Sequence, residues 1–229
     1  QGETVLAWDP DSGRPLSPAI VWQDRRAEAL CATLEQHREL LAQRTGLVLD
    51  PYFSAPKMAW LRRHVETAGV VTTSDVWLLH QLTGQFVTDA ATASRSLLVE
   101  LGDSGWSDSL LGIFGLSGER LPAIVGNDEI IGSTGAFGTD TPVGGVVVDQ
   151  QAALLAQGCL EPGMAKCTLG TGAFLLANTG SEPVRSSAGL TTSVARRVGG
   201  AVTFCVDGQA YTAASAVRWL SSLGVISGA

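Results

Sequence analysis

The sequence predicts an α/β protein, and three observations carry that reading. The run Val143-Gly144-Gly145-Val146-Val147-Val148 is continuous, apolar and β-branched, the pattern of a strand buried on both faces of a sheet. Helical spacing follows at once, through Ala153, Leu154 and Ala156, which makes a strand-then-helix unit with Asp149 at the strand's carboxyl end. From Glu161-Pro162-Gly163 onward, short strands separated by glycine turns take over from a middle region rich in helix signals.

The elements can be justified in order. Thr4 to Trp8 is β-rich and ends at the turn Asp9-Pro10-Asp11-Ser12-Gly13. After the apolar run Ala19 to Trp22, Asp24 is placed to cap one helix carrying Ala27, Leu30, Leu34 and Leu41. Lys57 to His64 has Met58 and Leu61 at helical spacing. Ser74 can cap a helix burying Trp77, Leu78 and Leu82, and Ser107 one burying Leu110, Leu111 and Phe114. Beyond Asp149, a strand near Cys167 meets the tight Gly170-Thr171-Gly172 turn and a strand through Phe174. A hairpin, Thr191 to Val198 and Ala201 to Val206, turns at Gly199-Gly200, and a helix with Ala213, Val217 and Leu220 closes the chain.

The 229 residues, 45% of them hydrophobic and 16% charged, describe a packed globular protein rather than a disordered one. That length allows one large domain or one and a half ordinary ones. With 22 acidic and 15 basic side chains the net charge is −7, and no basic run exceeds a pair such as Arg25-Arg26. Such a surface repels phosphate backbones, which argues against nucleic-acid or anionic-membrane partners. No apolar run approaches the ~18 residues of a spanning helix. Cys31, Cys159, Cys167 and Cys205 form no C-x-x-C pair and read as buried small hydrophobes in a reducing, cytoplasmic setting. Neither they nor His37, His64 and His80 have metal-ligand spacing, so no metal site is assigned to protein ligands.

Chemistry is suggested by Asp149 and, about twenty residues later, the Gly170-Thr171-Gly172 turn. A carboxylate at a strand end can take a hydroxyl proton, and a glycine turn can offer N–H groups to a phosphate. Each has an ordinary alternative: a helix cap for the aspartate, a plain hairpin for the turn. Trp22, Tyr52 and Phe174 stand at element edges beside polar residues, where aromatic rings can stack on the C–H face of a polyol or simply complete a core.

Resemblance narrows these choices. Gln1-Gly2-Glu3-Thr4 with Ala19 to Arg26, Asp50-Pro51-Tyr52-Phe53-Ser54 with Lys57 and Trp60, Trp77-Leu78-Leu79 with Leu82-Thr83-Gly84, Val87-Thr88-Asp89 with Ala93-Ser94-Arg95, Asp149-Gln150-Gln151-Ala152-Ala153-Leu154 and Gly170 to Phe174 form ordered blocks across nearly the whole chain. They resemble the glycerol kinase branch of the FGGY carbohydrate kinases. The resemblance implies an actin-like, ribonuclease-H-like ATPase fold of two α/β domains that close on ATP, with Mg2+, and a polyol or sugar. It makes Asp149 the base, places Gly170, Thr171 and Gly172 at the ATP phosphates, and gives the substrate pocket to Glu3, Trp22, Tyr52, Asp149, Gln150 and Phe174.

Two departures stand out. The family's opening phosphate loop has no counterpart ahead of Gln1 and its adenosine-binding half none after Ala229, which reads as an internal fragment, inactive alone and open to self-association. Residues 1–160 would then be most of the sugar-binding first domain and 161–229 the beginning of the ATP-binding second. Gly2 stands where glycerol kinases carry an arginine, which puts glycerol itself in question and suggests room for a longer polyol or ketose. The competing reading is a relative that binds a ligand or partner without transferring phosphate.

Overall fold

The computed structural model describes residues 2–65 and 68–227. Strand β1 (Val5–Trp8) is buried at every position, because apolar Val5, Leu6, Ala7 and Trp8 have hydrophobic surface on both sides. It pairs antiparallel with β2 (Val70–Thr73), Val5 opposite Thr73 and Trp8 opposite Val70, while Ile20 adds a single bridge on its other edge. The Asp9 turn forms as read: its carboxylate accepts from Ser12 Oγ at 2.5 Å, and Gly13 N–H donates to Asp9 O at 2.7 Å.

The single helix expected after Asp24 is broken. Asp24 closes a turn with the Arg26 backbone and guanidinium, so its carboxylate caps no helix. Helix α1 (Glu28–Thr33) begins beyond it, a 3-10 turn (Glu35–His37) interrupts, and α2 (Arg38–Thr45) continues to Gly46. Gly46 has φ +76°, and a Cβ there would sit 2.6 Å from the Thr192 carbonyl, so both backbone and neighbour require glycine.

Helix α3 (Ser54–His64) buries its face through Met58, Ala59 and Leu61. In α4 (Ser74–Thr83) the phase differs from the expected one: Val76 and Leu79 are buried while Leu78 is 51% exposed, and Thr73, not Ser74, holds the cap position. Trp77 is drawn sideways because its Nε1–H donates to Gly13 O at 2.9 Å. Strand β3 (Val87–Asp89) runs into α5 (Ala90–Ser94), which Asp89 caps, accepting from the N–H groups of Ala91 and Thr92. Helix α6 (Asp108–Phe114) buries Leu110, Leu111 and Phe114 as its spacing predicts. Strand β4 (Ala123–Val125) pairs with β3, the one parallel pair among the described strands.

The largest departure lies in the Val143 to Val148 run. Strand β5 (Ile130–Thr134) pairs antiparallel with β6 (Thr141–Gly144) as an isolated two-stranded ribbon. The chain leaves β6 where Gly145 adopts φ +68°, and residues 145–148 belong to no strand. Asp149 is therefore the first residue of α7 (Asp149–Ala156) rather than the last of a buried strand. Val143 and Gly144 are paired in the β5–β6 ribbon, and Val146, Val147 and Val148 lie beyond the turn at Gly145.

The last part follows the sequence reading closely. Strands β7 (Ala165–Leu169), β8 (Ala173–Gly180), β9 (Thr191–Val198) and β10 (Ala201–Ala210) form one antiparallel sheet in the order β7-β8-β10-β9. Helix α8 (Ala214–Ser222) follows. The main core gathers β1 and α1 to α3 around Phe53, Leu41, Leu61, Leu97 and Phe114, and a smaller one joins Leu154 of α7 to Leu176, Ala195 and Cys205 of the sheet. Among the described residues no helix is long and apolar enough to cross a membrane.

Candidate active site

Glu3 opens the site from a strained position. Its φ is +54°, rare for a residue with a side chain, and it is 5% exposed. Arg95, at the end of α5, compensates by donating its Nε–H to Glu3 Oε1. The same guanidinium donates from Nη1 to Asp207 Oδ2 at 2.5 Å on β10, and Nη2 lies 3.5 Å from the Tyr52 hydroxyl. Burial alone would lower the Arg95 pKa, but the Asp207 and Glu3 carboxylates hold it well above the usual value. Burial also pushes the pKa of the Tyr52 hydroxyl up, so it stays neutral beside the Arg95 guanidinium.

Tyr52 is fixed from behind by Lys57. This wholly buried ammonium donates to Pro51 O at 2.8 Å, to Phe53 O at 2.7 Å and to Tyr52 O, collecting the three carbonyls of the turn that precedes α3. Burial pulls its pKa down, with Glu3 and Asp50 acting against the shift.

Asp149 is exposed at the first turn of α7, where its Oδ1 accepts from Gln150 N–H at 2.8 Å. Gln150 is oriented by Lys166 of β7, whose Nζ donates to Gln150 Oε1 and, at 2.9 Å, to Thr168 Oγ1. Burial lowers the Lys166 pKa and the Asp149 carboxylate opposes that change. Phe174 at the start of β8 meets Trp22 edge-on with ring centroids 5.6 Å apart, and Trp22 meets Tyr52 at 5.8 Å.

These side chains converge. Gly2, Glu3, Trp22, Tyr52, Asp149, Gln150 and Phe174 line one cavity of about 80 Å³, so the structure brings together every residue expected around the substrate. A larger cleft of about 290 Å³ shares Trp22, Gln150 and Phe174 with it and is bounded by Thr168, Gly170, Thr171 and Gly172. The turn differs in detail from the expectation. Gly170 N–H donates to Gly172 O at 2.8 Å and is not offered outward, while Ala213 and Ala214 donate to the carbonyls of Thr171 and Gly170 and tie α8 to the turn.

Gly2 lines the small cavity beside Glu3, and a Cβ on residue 2 would stand 2.7 Å from Val148 Cγ2. Sequence reasoning missed the roles of Arg95, Asp207, Lys57 and Lys166, whose partners lie up to 112 residues away or on buried carbonyls. It also missed Tyr211, which stacks on Tyr52 with centroids 5.5 Å apart and extends the aromatic wall into a further cavity of about 180 Å³ beside Arg25.

The likeness to solved structures sets this chain among α/β proteins of the actin-like ATPase fold. The sequence profile of the N-terminal domain of FGGY carbohydrate kinases matches residues 1–156, and the chain belongs to that family. It is 45% identical over 241 residues to a glycerol kinase of Alkalilimnicola ehrlichii, covering 99% of this chain and 49% of that protein. A glycerol kinase of Myxococcus xanthus is 45% identical over 237 residues, covering 96% and 48%. Among solved structures, a Plasmodium falciparum glycerol kinase with ADP superposes with a TM-score of 0.91 at 33% identity, covering 99% of this chain and 48% of that one. A xylulose kinase of Brucella ovis superposes with a TM-score of 0.84 at 26% identity, covering 99% and 47%. The chain thus spans about half the length of the relatives it matches.

Proposed function

We propose that the protein carrying this chain transfers the γ-phosphoryl group of ATP to a hydroxyl of glycerol or a related polyol or sugar in the cytoplasm. The observation that supports this most is the shared wall. Asp149 and Gln150 face the small pocket, and Gln150, Phe174 and Trp22 continue into the cleft at the glycine turn, so an acceptor hydroxyl and a phosphate can lie side by side. The named kinases among its relatives point the same way.

In this reading the polyol rests against Trp22 and Phe174, and Glu3 and Tyr52 hold its hydroxyls. Asp149 accepts the proton of the hydroxyl whose oxygen attacks the γ-phosphorus, the bond to ADP breaks, and the phosphate ester and ADP leave. Lys166 keeps the Gln150 amide turned toward the site by holding its oxygen. The cleft is compatible with phosphates, since a Cβ on Gly170 would meet nothing closer than Gly172 O at 3.9 Å and the backbone there is approachable. Magnesium, when bound with ATP, supplies charge neutralisation of the phosphates. We divide the roles at residue 160, with the polyol held mainly by the preceding part and the phosphates by residues 161–229.

The test is Asp149→Asn in the natural gene product. The substitution keeps shape and removes the base, so kcat falls roughly 10²–10⁴-fold while polyol affinity changes little. Near-wild-type turnover would leave Asp149 as an ordinary first-turn carboxylate of α7. Gly170→Ala probes the turn: its KM for ATP rises with little loss of stability. Gly172 is a poorer probe, because a Cβ there would collide with Ala210 O at 2.7 Å whatever the ligand.

A further inference from the structure

Tyr211 touches two of the rings that wall the small pocket without entering it. Its ring stacks on Tyr52, with centroids 5.5 Å apart and planes 23° from parallel, and lies 6.1 Å from the ring of Trp22. Trp22 and Tyr52 line the pocket, whereas Tyr211 lines neither the pocket nor the cleft at the glycine turn and instead faces the cavity of about 180 Å³ beside Arg25. Tyr211 is 40% exposed, so it is not a core residue whose loss would hollow the fold.

The backbone that carries this ring also grips the glycine turn. Tyr211 lies between β10 and α8, and the residues just after it are fixed to the turn: Ala213 N–H donates to Thr171 O at 2.8 Å, Ala214 N–H to Gly170 O at 3.0 Å and Ser215 Oγ to Thr171 O at 2.9 Å. On the preceding side, the Ala210 carbonyl packs so near Gly172 that a Cβ there would stand 2.7 Å from it. One short segment thus meets the aromatic wall of the pocket with its side chain and the turn at the cleft with its backbone. The seating of Tyr52 is joined to the turn by a continuous path of ring stack, peptide and hydrogen bonds.

We propose that Tyr211 is a positioning residue that braces Tyr52 and Trp22 from outside the pocket and ties their placement to the Gly170 to Gly172 turn. A polyol that settles against Trp22 and Tyr52 thereby steadies the turn, and phosphates that settle at the turn steady the two rings. The link is reciprocal, as any coupling between two binding sites must be. It needs the flat ring and not the hydroxyl, since stacking is a property of the π face. This rests on the kinase reading above.

The experiment uses the natural gene product with Tyr211→Phe, Tyr211→Leu and Tyr211→Ala. The first readout is backbone hydrogen exchange of Ala213 and Ala214, followed by mass spectrometry of a peptide spanning residues 210–216, with and without saturating glycerol or ribitol and with no nucleotide. In the parent and in Tyr211→Phe the polyol should slow exchange by about threefold or more, and in Tyr211→Leu and Tyr211→Ala it should leave exchange unchanged. Steady-state kinetics are the second readout. The KM for polyol and the KM for ATP should rise together, by about 3–10-fold, in Tyr211→Leu and Tyr211→Ala, the size of a lost aromatic stack, and Tyr211→Phe should restore both. Tyr211→Leu keeps bulk without a ring, which separates stacking from space-filling. Protection by polyol that persists in Tyr211→Leu and Tyr211→Ala, or a rise in KM confined to one substrate, overturns the link. A parent whose exchange at these amides ignores bound polyol overturns it as well, however fast phosphorylation is. A parent that binds polyol and shows the Tyr211-dependent protection but transfers no phosphate overturns the kinase reading and leaves the brace standing, and one that binds neither polyol overturns both.

Discussion

The helical region up to Leu116 and the sheet after Gly163 are built on opposite economies. The first closes around its own core: Leu41, Leu47, Leu97, Leu110 and Phe114 are wholly buried, contributed by elements that are far apart in sequence. The second buries Leu176, Ala195 and Cys205 against Leu154, yet leaves Leu169 at 76%, Trp219 at 60% and Val225 at 66% exposure, and no residue of α8 is buried. One region is held by packing within itself. The other joins the first through the Arg95 contact to Asp207 and the Val194 N–H bond to Ser94 Oγ at 3.0 Å. The candidate site lies on that joint, so its geometry depends on both regions at once.

If this contrast holds, the largest effect comes from breaking the joint. Arg95→Met leaves the Glu3 and Asp207 carboxylates buried without a cation and should cost about 3–5 kcal/mol, read by denaturant unfolding. A loss below about 1 kcal/mol would mean that the two regions are joined elsewhere. Next, Phe114→Ala in the closed core should cost about 3–5 kcal/mol and Leu176→Ala in the smaller one about 2 kcal/mol. A reversed order would show the sheet to be the better packed of the two.

A charge inside the helical region sharpens the comparison further. Burial, with Asp75 adding to it, raises the Asp89 carboxyl to about 6 although it caps α5 and accepts from Asn127 Nδ2 at 3.0 Å. The folded state then binds this proton more tightly than the unfolded chain does. Stability should therefore fall, by on the order of 2 kcal/mol, as pH rises from about 4 through 6. Asp89→Asn should flatten that slope, and an unchanged slope in thermal melts between those values would assign it to other groups. The smallest effect belongs to the uncovered face: Trp219→Ser should change the stability of this chain by no more than about 0.5 kcal/mol.

Much of this was legible in the sequence where local pattern decides. The Gly199-Gly200 hairpin, α6 with its spacing of Leu110, Leu111 and Phe114, and the cavity around Trp22, Tyr52, Asp149 and Phe174 all follow from turn residues, periodicity or motif blocks. The Val143 to Val148 run misled because a β-branched apolar stretch specifies extended backbone but not a partner, and the run leaves the β5–β6 ribbon at Gly145. Leu78 misled because the unbroken apolar run Val76 to Leu79 leaves the phase of α4 open, and the face that is buried runs through Val76 and Leu79. Arg95 with Glu3 and Asp207, and Val148 with Gly2, leave no local signature at all. Their meaning is set by what the fold places across from them.

Lys57 deserves a last comparison, with the metal ions that knit turns together in other proteins. A bound cation of that kind sits among inward-facing carbonyl oxygens and organises backbone that would otherwise repel itself. Here the oxygens of Pro51, Tyr52 and Phe53 converge in that way, and the cation among them is carried on the helix that the turn precedes. Such an ion cannot be chelated, exchanged or diluted away. The turn that carries Tyr52 is therefore held by a group of the chain itself rather than by a dissolved ion.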